Sequence, residues 1–223
     1  MKKIPLLAFA LVSVVYIISR TAGYVPLTFI TKPLLMPLLA WWFATETRHH
    51  PTRFLRGSIL GGLAFATLGD TLLLFDGSLF FILGLLAFLL THLLYIGAFF
   101  SIAAWKNGYL RLSPGWILPF AVFLIGLVGW LWPGIPGGMK LPVSVYSAVI
   151  TTMVLSIVNL KGHLSGKVFR LLLAGGLLFM LSDCLLALHK FGHLFEEPGL
   201  AIMATYLLGQ YLIVRGVCER EVV

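Results

Sequence analysis

Charge is scarce in this chain. Only 11% of its 223 residues are Asp, Glu, Lys or Arg, against about 25% in a soluble domain. Acids are scarcer still, eight in all. A water-facing globular surface cannot be built from so few charges. With 60% hydrophobic residues and a mean hydropathy of +1.01, most of the surface has to face lipid. Cysteine is nearly absent as well. Cys184 and Cys218 are isolated thiols, which excludes a disulfide framework and a cysteine-based metal pattern. No linker is long enough for a second domain. The apolar runs show no sustained alternation, so strands are not expected.

What is present is a series of apolar runs. A helix needs about 20 mostly apolar residues to cross the hydrocarbon core. Eight segments qualify, over residues 4–19, 26–44, 57–75, 78–105, 114–132, 142–160, 168–188 and 199–217. The breaks carry turn chemistry, as in "RTAGYVP", "FDGS", "KNGYLRLSPG" and "KGHLSGK". The expected fold is all-α: one polytopic domain over residues 1–223 with eight transmembrane helices. The opening "MKKIPLLAFALVSVVYIISR" has the basic start of a signal peptide but no convincing small-x-small cleavage site. It reads as the first membrane helix, retained in the mature protein.

The net charge of +8 does not imply nucleic acid here, because basic residues in short loops set membrane orientation. Lys2, Lys3, Arg48, Arg53, Arg56, Lys106, Arg111, Lys161, Lys167, Arg170, Arg215 and Arg220 fall on one side of an eight-span layout. Arg20, Lys32, Lys140 and Lys190 fall on the other. That segregation predicts both termini in the cytoplasm. The six tryptophans lie near segment ends, as an aromatic belt requires.

Against this background two acids stand out, in "ATLGDTLLLF" and "FMLSDCLLAL". Counted at 1.5 Å per residue, Asp70 and Asp183 lie ~9–10 Å below the outer boundary. Lys32 comes out at a similar depth, with Tyr146 and Tyr206 in the same band and Gln210 a turn deeper. His92 and Tyr95 lie deeper still and share a helix face. A charged residue at mid-bilayer costs at least ~2.5–3.5 kcal/mol on insertion scales. Two acids and a lysine at one level are therefore expected to be partners. The bland alternative is that each acid only joins helices by hydrogen bonds; intramembrane acids default to function. Lys32 can equally snorkel to the outer interface. Pro33 and Pro37 beside it would free backbone carbonyls. Asn159 reads as packing or capping. His49, His50, His163, His189 and His193 read as solvated loop or end residues, and Glu196 and Glu197 as caps for the last helix.

"GGLAFATLGDTLL" and "GGLLFMLSDCLL" echo each other four spans apart, which suggests a four-plus-four repeat. A catalytic metal is disfavoured: no H-E-x-x-H spacing is present, and His92 alone lies well inside a span. No Gly-x-Ser-x-Gly elbow occurs.

The order "TKPLLMPLL", "LGD", "HLLY", "LSDCLLA" and "YLLGQYLI" resembles the YhhN family, also called the TMEM86 family, of lysoplasmalogenases. The resemblance covers nearly the whole chain, from about the second helix to the eighth. It implies an eight-span enzyme that hydrolyses the vinyl ether of lysoplasmalogens, with a lysophospholipid substrate. No cofactor is expected. By position, Lys32, Asp70, His92, Tyr95, Asp183, Tyr206 and Gln210 match the family's polar motif residues.

The chemistry fits the residues independently. Protonating the β-carbon of a vinyl ether makes an oxocarbenium ion, which water captures. One carboxyl must deliver a proton and one carboxylate must stabilise the cation and orient water. Glycosidases meet a related problem with two carboxyls. Asp70 and Asp183 are the expected pair. Lys32 would keep one ionised or bind the lipid phosphate, and Tyr146, Tyr206 and Gln210 would orient water or glycerol hydroxyls. A proton-coupled transporter or lipid flippase would also want buried acids. A metal-dependent amide hydrolase of the ceramidase kind is a third possibility. Helices three and seven lack the Gly/Pro breaks of transport helices, which favours the enzyme.

Overall fold

The computed structural model describes residues 3–48, 52–192 and 199–220. His49, His50, His193, Glu196 and Glu197 lie outside these residues. Among the described residues every regular element is helical. The α-helices are α1 (Ile4–Thr21), α2 (Val25–Glu46), α3 (Arg53–Leu72), α4 (Ser78–Phe100), the short α5 (Tyr109–Leu112), α6 (Ile117–Leu131), α7 (Lys140–Val158), α8 (Gly166–Gly192) and α9 (Gly199–Cys218). Short 3-10 turns lead into α5, α6 and α7.

Seven of these helices are long and apolar enough to cross a membrane, and the chain is an integral, multi-pass membrane protein. The helix that falls short is α3. Its 20 residues span ~30 Å, enough for the hydrocarbon core. Arg56, Asp70 and four glycines dilute its apolar content.

The ends of the helices follow local chemistry. Proline occupies the first turn of α1 and of α2, where its missing N–H is no loss. Thr52 caps α3 by accepting from the Leu55 N–H at 3.4 Å. The turns "RTAGYVP" and "FDGS" each place a glycine at positive φ, Gly23 at 70° and Gly77 at 116°. α2 runs unbroken through Pro33 and Pro37, so the carbonyls one turn before each lack their usual donor.

Helix four is shorter than the expected 78–105. α4 stops at Phe100 because the next residues are held by a different partner. Asn159, fully buried just past α7, donates from Nδ2 to the Ala103 carbonyl at 3.3 Å. Its Oδ1 accepts from the Leu110 N–H at 3.2 Å, and its backbone carbonyl accepts from Tyr109 N–H at 3.0 Å. Gly108 makes room: a Cβ there would sit 2.0 Å from Asn159 Nδ2. The packing role expected of Asn159 is what the structure shows. Asn159→Leu is expected to destabilise the protein by ~1–3 kcal/mol for each backbone group it orphans. A lowered unfolding midpoint in detergent checks this; an unchanged midpoint would show that the clasp holds nothing.

The chain divides into two compact units, Met1–Ala98 with Val217–Val223, and Phe99–Gly216. In the first, α1 packs on α2 and α2 on α3. α3 meets α4 through small residues. A Cβ on Gly62 would lie 2.3 Å from the Tyr95 ring, and one on Gly69 would lie 2.7 Å from the Phe88 ring. Thr91 Oγ1 donates to the Gly62 carbonyl at 3.0 Å across the same seam. In the second unit α6, α7 and α8 pack on one another. α8 and α9 approach backbone to backbone: a Cβ on Gly175 would lie 2.9 Å from the Gly209 carbonyl oxygen. Small residues at such crossings are how helices associate in lipid, where apolar burial gives no advantage over lipid contact.

Candidate functional site

In each unit an acid is met by a polar side chain from the preceding long helix. In the first unit Lys32 enters from α2, about two turns past its start, and Asp70 lies in the last turn of α3. Lys32 is 8% exposed and Asp70 2%. Lys32 Nζ stands 3.9 Å from Asp70 Oδ1. That is ion-pair range but longer than a direct hydrogen bond. Of the two readings of Lys32, a partner for an acid or a snorkel to the interface, the geometry fits the first: the side chain is buried against Asp70. A lone charge here would be costly, and the pairing offsets that cost.

α1 completes this cluster. Tyr16 is buried and lies close enough to Asp70 to feel its charge. Arg20, one turn further along α1, is within electrostatic reach of Tyr16 and of Lys32. Neither residue was expected at the site. The signal available was their i, i+4 spacing in "YIISR", which puts them on one face.

In the second unit the Tyr146 hydroxyl on α7 donates to Asp183 Oδ2 on α8. Tyr146 was expected to orient water or glycerol; its hydroxyl donates to the carboxyl, and its oxygen can still accept from such a group. The surroundings fix α9 against α8 at this level. Ser182 Oγ donates to the Ile202 carbonyl at 3.0 Å. The Tyr206 ring stands edge-on to Phe179, with centroids 5.5 Å apart. Gln210 follows one turn later on α9 and is fully buried.

The expected site residues therefore fall into two sets. Lys32, Asp70, His92 and Tyr95 belong to the first unit, and Tyr146, Asp183, Tyr206 and Gln210 to the second. His92 and Tyr95 are fully buried on α4, and Tyr95 has the structural task of filling the space over Gly62. Of the histidines expected in loops or at span ends, His163 is exposed and its Nε2 lies 3.0 Å from the Asn107 carbonyl. Among the described residues no three His, Cys, Asp or Glu side chains stand together as metal ligands.

A sequence profile of the YhhN family matches residues 27–217. The chain belongs to the YhhN family. Among its curated relatives is the lysoplasmalogenase TMEM86A of Bos taurus, 32% identical over 165 residues, which are 72% of this chain and 65% of the relative. The lysoplasmalogenase TMEM86B of Mus musculus is 29% identical over 154 residues, 69% of this chain and 60% of the relative. The Homo sapiens TMEM86A is 30% identical over 165 residues, again 72% and 65%. The chain thus spans somewhat under two thirds of the length of these relatives. No solved structure matches. The family match takes in Lys32, Asp70 and Asp183 and begins after α1, so Tyr16 and Arg20 lie outside it.

Proposed function

We propose that this YhhN protein hydrolyses the vinyl ether bond of lysoplasmalogens. The products are a fatty aldehyde and glycerophosphoethanolamine or glycerophosphocholine. Family membership, with relatives named lysoplasmalogenase, supports the substrate class. The observation that carries the chemistry is the buried Lys32–Asp70 pair.

Asp70 and Asp183 are the catalytic carboxyls in this reading. One carboxylic acid gives its proton to the β-carbon, and the C=C electrons form the new C–H bond. The oxocarbenium ion is stabilised by the carboxylate. Water adds to the cationic carbon and loses a proton to a carboxylate. The hemiacetal then breaks its C–O bond to the glycerol, which leaves as the alcohol. Asp70 has a cationic partner in Lys32, so Asp70 suits the carboxylate role. Their 3.9 Å separation leaves space for a water or substrate oxygen to bridge them. Tyr146 holds the Asp183 carboxyl in orientation. Tyr206 and Gln210 serve the substrate from α9, and His92 and Tyr95 from α4.

The topology belongs to the same proposal. α3 is taken as a span beside the seven apolar helices, which gives eight with both termini in the cytoplasm. A four-plus-four repeat is supported by the likeness of the two units. Each places a glycine-rich, acid-bearing helix after a helix that supplies the acid's partner.

Purified protein in detergent, given a 1-alkenyl lysophospholipid, is expected to release aldehyde with no membrane to cross. The 1-alkyl ether analogue should stay intact, because it has no double bond to protonate. No aldehyde from active-folded protein would refute the enzyme and favour the transporter.

A further inference from the structure

Lys32 was one candidate to bind the lipid phosphate, but its ammonium is buried and directed at Asp70. A phosphate brought to it would have to be desolvated beside a carboxylate. The phosphate therefore needs another cation, one near enough to the pair for one lipid to reach both.

We propose that Arg20, in the last turn of α1, binds the phosphodiester of the lysophospholipid substrate. This rests on the substrate reading above and adds the residue that holds the lipid phosphate. Arg20 is exposed. Among the described residues its guanidinium has no hydrogen bond or ion pair with a protein group. It is nonetheless within electrostatic reach of Tyr16 and Lys32. The three charged groups, Arg20, Lys32 and Asp70, leave one positive charge over, which matches a phosphodiester monoanion.

The local geometry supplies the spacing. α1 and α2 are joined by the tight turn at Gly23. Next to Arg20, the Ser19 and Thr28 hydroxyls meet at 3.3 Å and lock α1 to α2. Lys32 lies one turn beyond Thr28 on the same face of α2, ~6 Å along the axis. Arg20 thus stands at the head-group end of the helix pair and Lys32–Asp70 one turn deeper. In a lysoplasmalogen the phosphate and the vinyl ether oxygen are separated by the three carbons of glycerol, a span of that order. A guanidinium also presents paired N–H donors that fit two phosphate oxygens.

The test uses purified full chain in detergent with two probes that cannot be hydrolysed. One is 1-O-alkyl-glycerophosphoethanolamine, and the other is 1-O-alkylglycerol, which lacks the phosphate. Wild type is expected to bind the phosphate-bearing probe at least about tenfold more tightly, the scale of one charge-assisted contact. The preference should weaken with salt. Arg20→Gln should bind the two probes alike, Arg20→Lys should keep part of the preference, and both should unfold at the wild-type midpoint. In hydrolysis, Arg20→Gln should raise KM with kcat retained. A preference that survives Arg20→Gln, or is absent from wild type, overturns the assignment. The binding result stands whether or not aldehyde is released, so loss of the catalytic reading and loss of this one are told apart.

Discussion

Asp183→Asn, made alone, is expected to lower aldehyde release by a factor of ~10²–10⁴, the usual contribution of a positioned acid or base. It should do so with little loss of stability. The asparagine Oδ1 can still accept from the Tyr146 hydroxyl that now donates to Asp183 Oδ2, so helix packing is preserved while the titratable proton is gone. Asp70→Asn is expected to lower release by a similar factor but also to destabilise the protein. It would leave the Lys32 ammonium, 8% exposed and 3.9 Å away, facing a neutral amide. The pair of measurements is turnover and unfolding midpoint in the same detergent. Near-normal turnover in both variants would end the two-carboxyl mechanism, whatever the midpoints.

The second large effect belongs to Lys32. Lys32→Met removes the cation from a carboxylate that is 2% exposed. Breaking a buried pair from one side typically costs ~3–5 kcal/mol, whereas replacing both members by apolar groups is often close to neutral. Lys32→Met is therefore expected to unfold well below wild type, and Lys32→Met with Asp70→Leu is expected to recover most of that loss. Neither should turn over substrate. Lys32→Arg keeps the charge and should lie between wild type and Lys32→Met. If Lys32→Met matched wild type in both midpoint and turnover, the ion pair would have no part in fold or reaction.

The contrast between the two acids shows how far sequence could reach. That Lys32 would meet an acid was legible, because opposite charges in a span of apolar residues have few other ways to be satisfied; that the acid would be Asp70 was not. That Asp183 would meet Tyr146 was not. The two are 37 residues apart, and several tyrosines, a glutamine and serines could have served equally by depth. Tyr16 was missed for a related reason. A single tyrosine in "SVVYIISR" reads as part of an apolar run, and only the docking of α1 on α2 buries it within reach of Asp70. The end of α4 was misjudged because nothing in residues 101–105 breaks a helix. The stop comes from Asn159, which claims backbone groups at Ala103 and Leu110.

Composition and hydrophobic run length determined by themselves that this chain is helical and lies in a membrane, since backbone groups in lipid must be satisfied within the segment. They also determined which residues are chemically anomalous there, because removing a charge from water is costly whichever group later pairs with it. The partners were decided only by tertiary structure. Helix periodicity fixes the face a side chain occupies but not the rotation at which two helices meet. That rotation is set by the glycine contacts of α3 with α4 and of α8 with α9, which bring the backbones close and fix the face each helix turns to its neighbour.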